Sequence, residues 1–84
     1  MIHFTRHAIE KFEVLKRHGV LVTNDKVIEI LNNPGFIDYS RLPLLIAQGE
    51  LDARHVLRVV FKKEGGVIIV ITFYPSRKDK YDKS

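Results

Sequence analysis

The sequence predicts an α+β fold: two N-terminal helices packed on one face of a roughly four-stranded antiparallel sheet. Two observations carry this prediction. Apolar residues recur at helical spacing as far as Leu31, then gather into β-branched runs after Pro34. The stretch Asn32-Asn33-Pro34-Gly35 separates the two regimes, because proline and glycine cannot continue a helix. The chain has 84 residues, 45% of them apolar, which fits a single domain spanning residues 1–84 with a small core.

The first helix is read from "FTRHAIEKFEVLKRHGV". Thr5 can cap it by accepting from an unpaired amide of the first turn. Phe4, Ala8, Phe12 and Leu15 form one apolar stripe, and Lys16, Arg17 and His18 place positive charge at the C-terminal end before Gly19 stops the helix. The second helix is read from "TNDKVIEILNNPG", with Thr23 as cap, Asp25 in the first turn and Val27, Ile28 and Leu31 on the buried side.

Four strands follow. "FIDYS" is short, and "LPLLIAQGE" carries Pro43, best placed at its start or on an edge. "HVLRVVFKK" and "VIIVITFY" are strongly β-branched and are joined through Gly65-Gly66, so they form a hairpin. The tail "SRKDKYDKS" is a short helix or a loose end. An odd hairpin loop places Arg54, Val56 and Arg58 beside Val70, Thr72 and Tyr74. An even loop places His55, Leu57 and Val59 there instead, because a one-residue slip exchanges faces. Glycine in "KKEGGV" favours a three-residue loop with a glycine bulge, and so the first arrangement.

Composition excludes several classes. There is no cysteine, hence no disulfide and no thiolate metal site. No apolar run is long enough to span a membrane, and the N-terminus lacks the apolar core of a signal peptide, so a cytoplasmic location is expected. A net charge of +4 suits an anionic partner. No nucleophile motif, glycine-rich phosphate loop or paired-carboxylate arrangement is present.

The remaining chemistry lies in cations, histidines and hydroxyls. With helices on one face of the sheet, the other face presents Arg58, Thr72 and Tyr74, with Arg54 and Arg77 near its end. Guanidinium groups grip two phosphate oxygens at once, hydroxyls add further bonds, and a tyrosine stacks on an unpaired base. The plainer reading makes Arg58 and Arg77 solvated charges and Tyr74 a cap on the core edge. His7 and His18 fall on one side of the first helix with Lys11 between them. His7, in the first turn, is a candidate general base or acid, and its plainer role is that of a surface histidine. His3 and His7 are four apart, but the Thr5 cap falls between them and no HExxH motif is present, so no metal site is expected. The reaction these groups suit is metal-independent RNA cleavage. The substrate's 2′-hydroxyl is the nucleophile, and the protein supplies a base, an acid and cations.

"FTRHAIEKF", "VIEILNNPGFID" and "HVLRVVFKKEGGVIIVITFYPSRKDKY" together resemble a family of small microbial domains. Its members open with Thr/Ser-x-His-Ala, carry Asn-Pro after the second helix, and end in a hairpin reading Leu-Arg-Val-Val and then Val-x-Thr-x-Tyr. That family is similar to the BrnT toxins and, more distantly, to RelE-type toxins and the barnase/colicin ribonucleases. The resemblance implies a metal-independent, cofactor-free endoribonuclease toxin held by an antitoxin protein, with His7, Arg58, Thr72 and Tyr74 at the matching positions. On this reading His7, Arg58 and Tyr74 are catalytic, and Lys11, Thr72 and Arg77 bind RNA. The alternative is a non-catalytic basic interaction module on the same fold. The first helix departs from the arginine-rich pattern of this group at Glu10 and Glu13. The segment Leu42–Ala47 is unusually apolar, which suggests an antitoxin contact or a homodimer.

Overall fold

The computed structural model describes residues 1–81, and side chains as far as Asp79. The helices are α1 (Arg6–Arg17), α2 (Asn24–Asn32) and α3 (Lys78–Tyr81). The strands are β1 (Ile2–Phe4), β2 (Phe36–Asp38), β3 (Leu45–Glu50), β4 (His55–Glu64) and β5 (Val67–Arg77). They form one sheet in the order β1-β5-β4-β3-β2. The α+β class holds, but the sheet has five strands and is mixed, since β1 runs parallel to β5 while the other pairs are antiparallel. Of the expected tail, α3 begins at Lys78, and residues 82–84 lie outside the described residues.

Both helix caps form as their sequences dictate. The Thr5 hydroxyl accepts from the Ala8 amide at 3.1 Å, and the Thr23 hydroxyl from the Lys26 amide at 3.1 Å. Thr5 also joins α1 to the sheet. Its amide donates to the Val70 carbonyl at 3.1 Å and its hydroxyl to the Ile71 carbonyl at 3.1 Å. Phe4, expected on the helical stripe, instead closes β1 opposite Val70.

Alternation along β4 and β5 separates the two faces of the sheet. Leu57, Val59, Phe61, Val70 and Phe73 point inward and are buried against Ala8 and Leu15 of α1 and Val27 and Ile30 of α2. The Phe12 ring stacks at a tilt on Phe73, with centroids 4.6 Å apart. Gly49 on β3 lets α2 approach closely: a Cβ there would lie 2.7 Å from Cγ1 of Ile30. Val56, Arg58, Val60, Thr72 and Tyr74 belong to the opposite face, which neither α1 nor α2 covers.

The hairpin differs from expectation in an instructive way. Gly65 and Gly66, at φ 53° and 81°, form a two-residue turn between the paired Glu64 and Val67, where positive φ at both positions matches the twist of the strands. An even loop alone would set Arg58 and Tyr74 on opposite faces. A bulge in β5 restores the match: Val60 pairs with Thr72 and Phe61 with Val70, leaving Ile71 as the extra residue. So Arg58, Thr72 and Tyr74 do share a face, whereas Val70 turns to the core.

The Leu42–Ala47 segment is not a free dimerisation strand. β3 pairs with β2 on one side and β4 on the other, and Ile46 and Ala47 are buried within the chain. Pro43 lies in the turn before β3, and Leu42 remains exposed.

Candidate functional site

Arg58 is the hub of the helix-free face. Its position on β4 is opposite Gln48 of β3 on one side and Tyr74 of β5 on the other. Nε donates to the Tyr74 hydroxyl at 3.0 Å, Nη1 to the Gln48 carbonyl oxygen at 2.6 Å, and Nη2 to Oδ2 of Asp38 on β2 at 2.7 Å. One guanidinium thus links four of the five strands. Arg58 is only 4% exposed, the one charged residue buried among the described residues.

Asp38 is the counter-ion that makes this burial tolerable. Its Oδ1 accepts from the Ser40 amide at 2.8 Å, and its carboxyl is lowered from 3.8 to about 2. The Ser40 hydroxyl contributes most, then the Ser40 amide, then the hydrogen bond from Arg58. A concavity of about 400 Å³ adjoins the pair, lined by Asp38, Ser40, Arg41, Leu44, Ile46, Arg58, Val60 and Tyr74.

The chemistry open to this cluster is limited. The arginine already has a carboxylate, an amide oxygen and a phenol as acceptors, so a phosphate would have to displace them. Asp38, ionised down to about pH 2, is a poor proton acceptor near neutrality. The Tyr74 hydroxyl accepts from Arg58, and no acceptor for its own proton is recorded among the described residues. The hydroxyl oxygen of Thr72, opposite Val60, is buried and has no hydrogen-bond partner.

The other candidates do not converge here. His7 is exposed on α1, and that helix packs on the face opposite Arg58. Lys11 is half-exposed on the same helix. Arg77 sits at the far end of β5, opposite His55, with its guanidinium 3.7 Å from Asp79. Arg58 and Tyr74 are therefore brought together, with Thr72 on the same face, while His7, Lys11 and Arg77 lie elsewhere. Among the described residues, no three histidine, aspartate or glutamate side chains gather as metal ligands would. No helix among them is long and apolar enough to cross a membrane.

Sequence reasoning missed Asp38, Gln48 and the pair Asp52–His55. A signal for Gln48 existed, since it is the polar residue that ends the apolar run "LLIA" while still within a strand pattern. Asp38 carries no local mark and becomes visible only when β2, β3 and β4 are aligned. Asp52 lies in the β3–β4 turn and His55 begins β4: Oδ1 of Asp52 accepts from the amides of Arg54 and His55 and from Nδ1 of His55, each at 2.9 Å.

The chain matches no family model, no curated protein and no solved structure.

Proposed function

We propose that this chain is a non-catalytic interaction module whose helix-free sheet face receives a protein partner. The observation that carries this reading is the Arg58–Asp38 pair, in which a buried cation meets its counter-ion within the chain at 2.7 Å and also donates to Gln48 and Tyr74. The surroundings support it. Val56, Val60, Ile69 and Tyr74 are half-buried on this face, and Phe36, Tyr39 and Leu42 are more than half exposed along its β2 border. Apolar and aromatic side chains around a neutral polar centre suit a protein surface better than a phosphate backbone. An antitoxin, as the family resemblance implies, is the natural class of partner.

A metal-independent endoribonuclease requires a base beside the phosphate-binding arginine, and the concavity at Arg58 has none of the histidines among its lining residues. The test places a photo-crosslinking amino acid at Val60 in living cells. A discrete protein adduct, lost when Phe36→Asp is added, is expected. An adduct made of RNA overturns the reading. So does cleavage of cellular RNA in chelator by the wild type but not by His7→Ala.

A further inference from the structure

The end of the sheet away from the Gly65-Gly66 turn carries a second cluster. A cavity of about 260 Å³ is walled by Val20, Leu21, Leu51 and Pro75, and its polar lining is Asp52 and His55. Its size falls just below the usual range for drug-sized ligands and suits a single ring system. Arg77 is the cross-strand neighbour of His55, and Arg54 precedes it in sequence. Arg54, Arg77, Lys78 and Asp79 line a second cavity of about 320 Å³, which therefore has three cations to one carboxylate.

His55, the first residue of β4, is held by several hydrogen bonds at the end of the β3–β4 turn. Its carbonyl accepts from the amides of Leu51 at 3.0 Å and Asp52 at 3.2 Å, and its own amide donates to Asp52 at 2.9 Å. A carboxylate cannot donate, so Nδ1 carries the proton in the 2.9 Å contact with Asp52. That leaves Nε2 as the nitrogen available to a ligand. Of the cations, Lys78 is taken up by Glu50 at 2.7 Å. Arg77 is held loosely at 3.7 Å with both side chains mostly exposed, and Arg54 has no ion pair among the described residues. A turn staple alone would account for the Asp52–His55 bond. It does not account for an apolar cavity lined by His55 itself together with a cationic cavity lined by its sequence neighbour Arg54 and its cross-strand neighbour Arg77.

We infer that this end of the sheet binds a small ligand in which a flat heteroaromatic ring is joined through a short linker to a phosphate, with the ring among Leu21, Leu51 and Pro75 beside His55 and the phosphate at Arg54 and Arg77. The ring gains burial against aliphatic walls, and the phosphate gains two guanidinium partners. The site is separate from the face around Arg58 and does not depend on the interaction proposed there.

The experiment titrates the isotopically labelled full chain with adenosine monophosphate, adenosine and inorganic phosphate, following the His55 ring and the methyl groups of Leu21 and Leu51 by NMR. The monophosphate is expected to shift all three sets of signals. Adenosine should move them at concentrations about tenfold higher, and inorganic phosphate should leave the leucine methyls in place. His55→Asn keeps a donor toward Asp52 and lacks Nε2. It should retain the folded spectrum and weaken the monophosphate about tenfold, as should Arg54→Ala combined with Arg77→Ala. Unmoved signals with the monophosphate at millimolar concentration overturn the inference. Equal affinity for adenosine and its monophosphate, or unchanged affinity in the double arginine variant, overturns it as well.

Discussion

Arg58 on β4 and Asp38 on β2 form an ion pair at 2.7 Å although the strands that carry them are not neighbours. The guanidinium reaches across β3, where Gln48 accepts a second bond on the way. The interaction therefore fixes the positions of three strands relative to one another, and Tyr74 adds the fourth. A short edge strand such as β2, with three residues, has little else on this face to hold it.

Removing the hub should be costly. Arg58→Ala loses three charge-assisted hydrogen bonds and opens the centre of the face, for an expected loss of about 3 kcal/mol. Arg58→Met restores the volume without a charge and should recover part of that loss. Asp38→Asn, which leaves the guanidinium buried without its counter-ion, should be worse than Arg58→Met. Denaturant unfolding of the three variants checks the order. If Arg58→Met is the least stable of the three, the pair is not a buried charge problem.

Acid should weaken the same contact. The Asp38 carboxyl is held at about 2 in the folded chain against an ordinary 3.8, so the folded state binds fewer protons than the unfolded state between these values. Its stabilising contribution is complete above about pH 5 and is lost as pH falls toward 2. Asp38→Asn cannot titrate. The stability gap between wild type and this variant should be constant above about pH 5 and should close on acidification. Circular dichroism melts over a pH series measure it, and a gap that stays constant down to pH 2 would falsify the assignment.

What the sequence made legible was local. Thr5 and Thr23 cap their helices through residues three positions away, and Gly65-Gly66 turns the hairpin by its own backbone freedom. β1 was hidden because Phe4, four residues before Ala8, extends the helical stripe by spacing alone. The bulge at Ile71 was hidden because one of its supports, the Thr5 hydroxyl, lies 66 positions away. The shared face of Arg58 and Tyr74 was still anticipated, because a three-residue loop and a two-residue loop plus a bulge each insert one residue. Asp38 and Gln48 could not be assigned to Arg58, since their alignment depends on two strand registers at once. His7 could not be excluded from that cluster until the packing of α1 on the other face was known.

The approach of α2 to the sheet depends on Gly49. A methyl group there would meet Cγ1 of Ile30 at 2.7 Å, near the base of a branched side chain that cannot swing away. Gly49→Ala should cost roughly 1–3 kcal/mol by overpacking. Adding Ile30→Ala removes the obstructing atoms, so the double variant should be more stable than the sum of the two single losses predicts. Thermal unfolding of the four proteins provides the cycle, and strict additivity would mean that the contact is not what constrains position 49.

Thr72 separates a structural role from a functional one. Its hydroxyl oxygen is buried on the helix-free face with no hydrogen-bond partner, a state that costs stability. Thr72→Val keeps the branched shape and deletes the unpaired group, so the variant should be more stable than wild type by about 1 kcal/mol. Because the oxygen has no accessible surface in the free chain, a partner bonds to it only if the side chains around it move on binding. If binding opens the face in this way, the same variant should lose the Val60 crosslink, or weaken it several-fold, while folding better than its parent. Chemical denaturation and crosslinking yield are read on the same preparation. Greater stability with an undiminished crosslink would mean that the hydroxyl is an orphan of packing and does not face the partner. Lower stability would mean that Thr72 is satisfied by a contact within the fold.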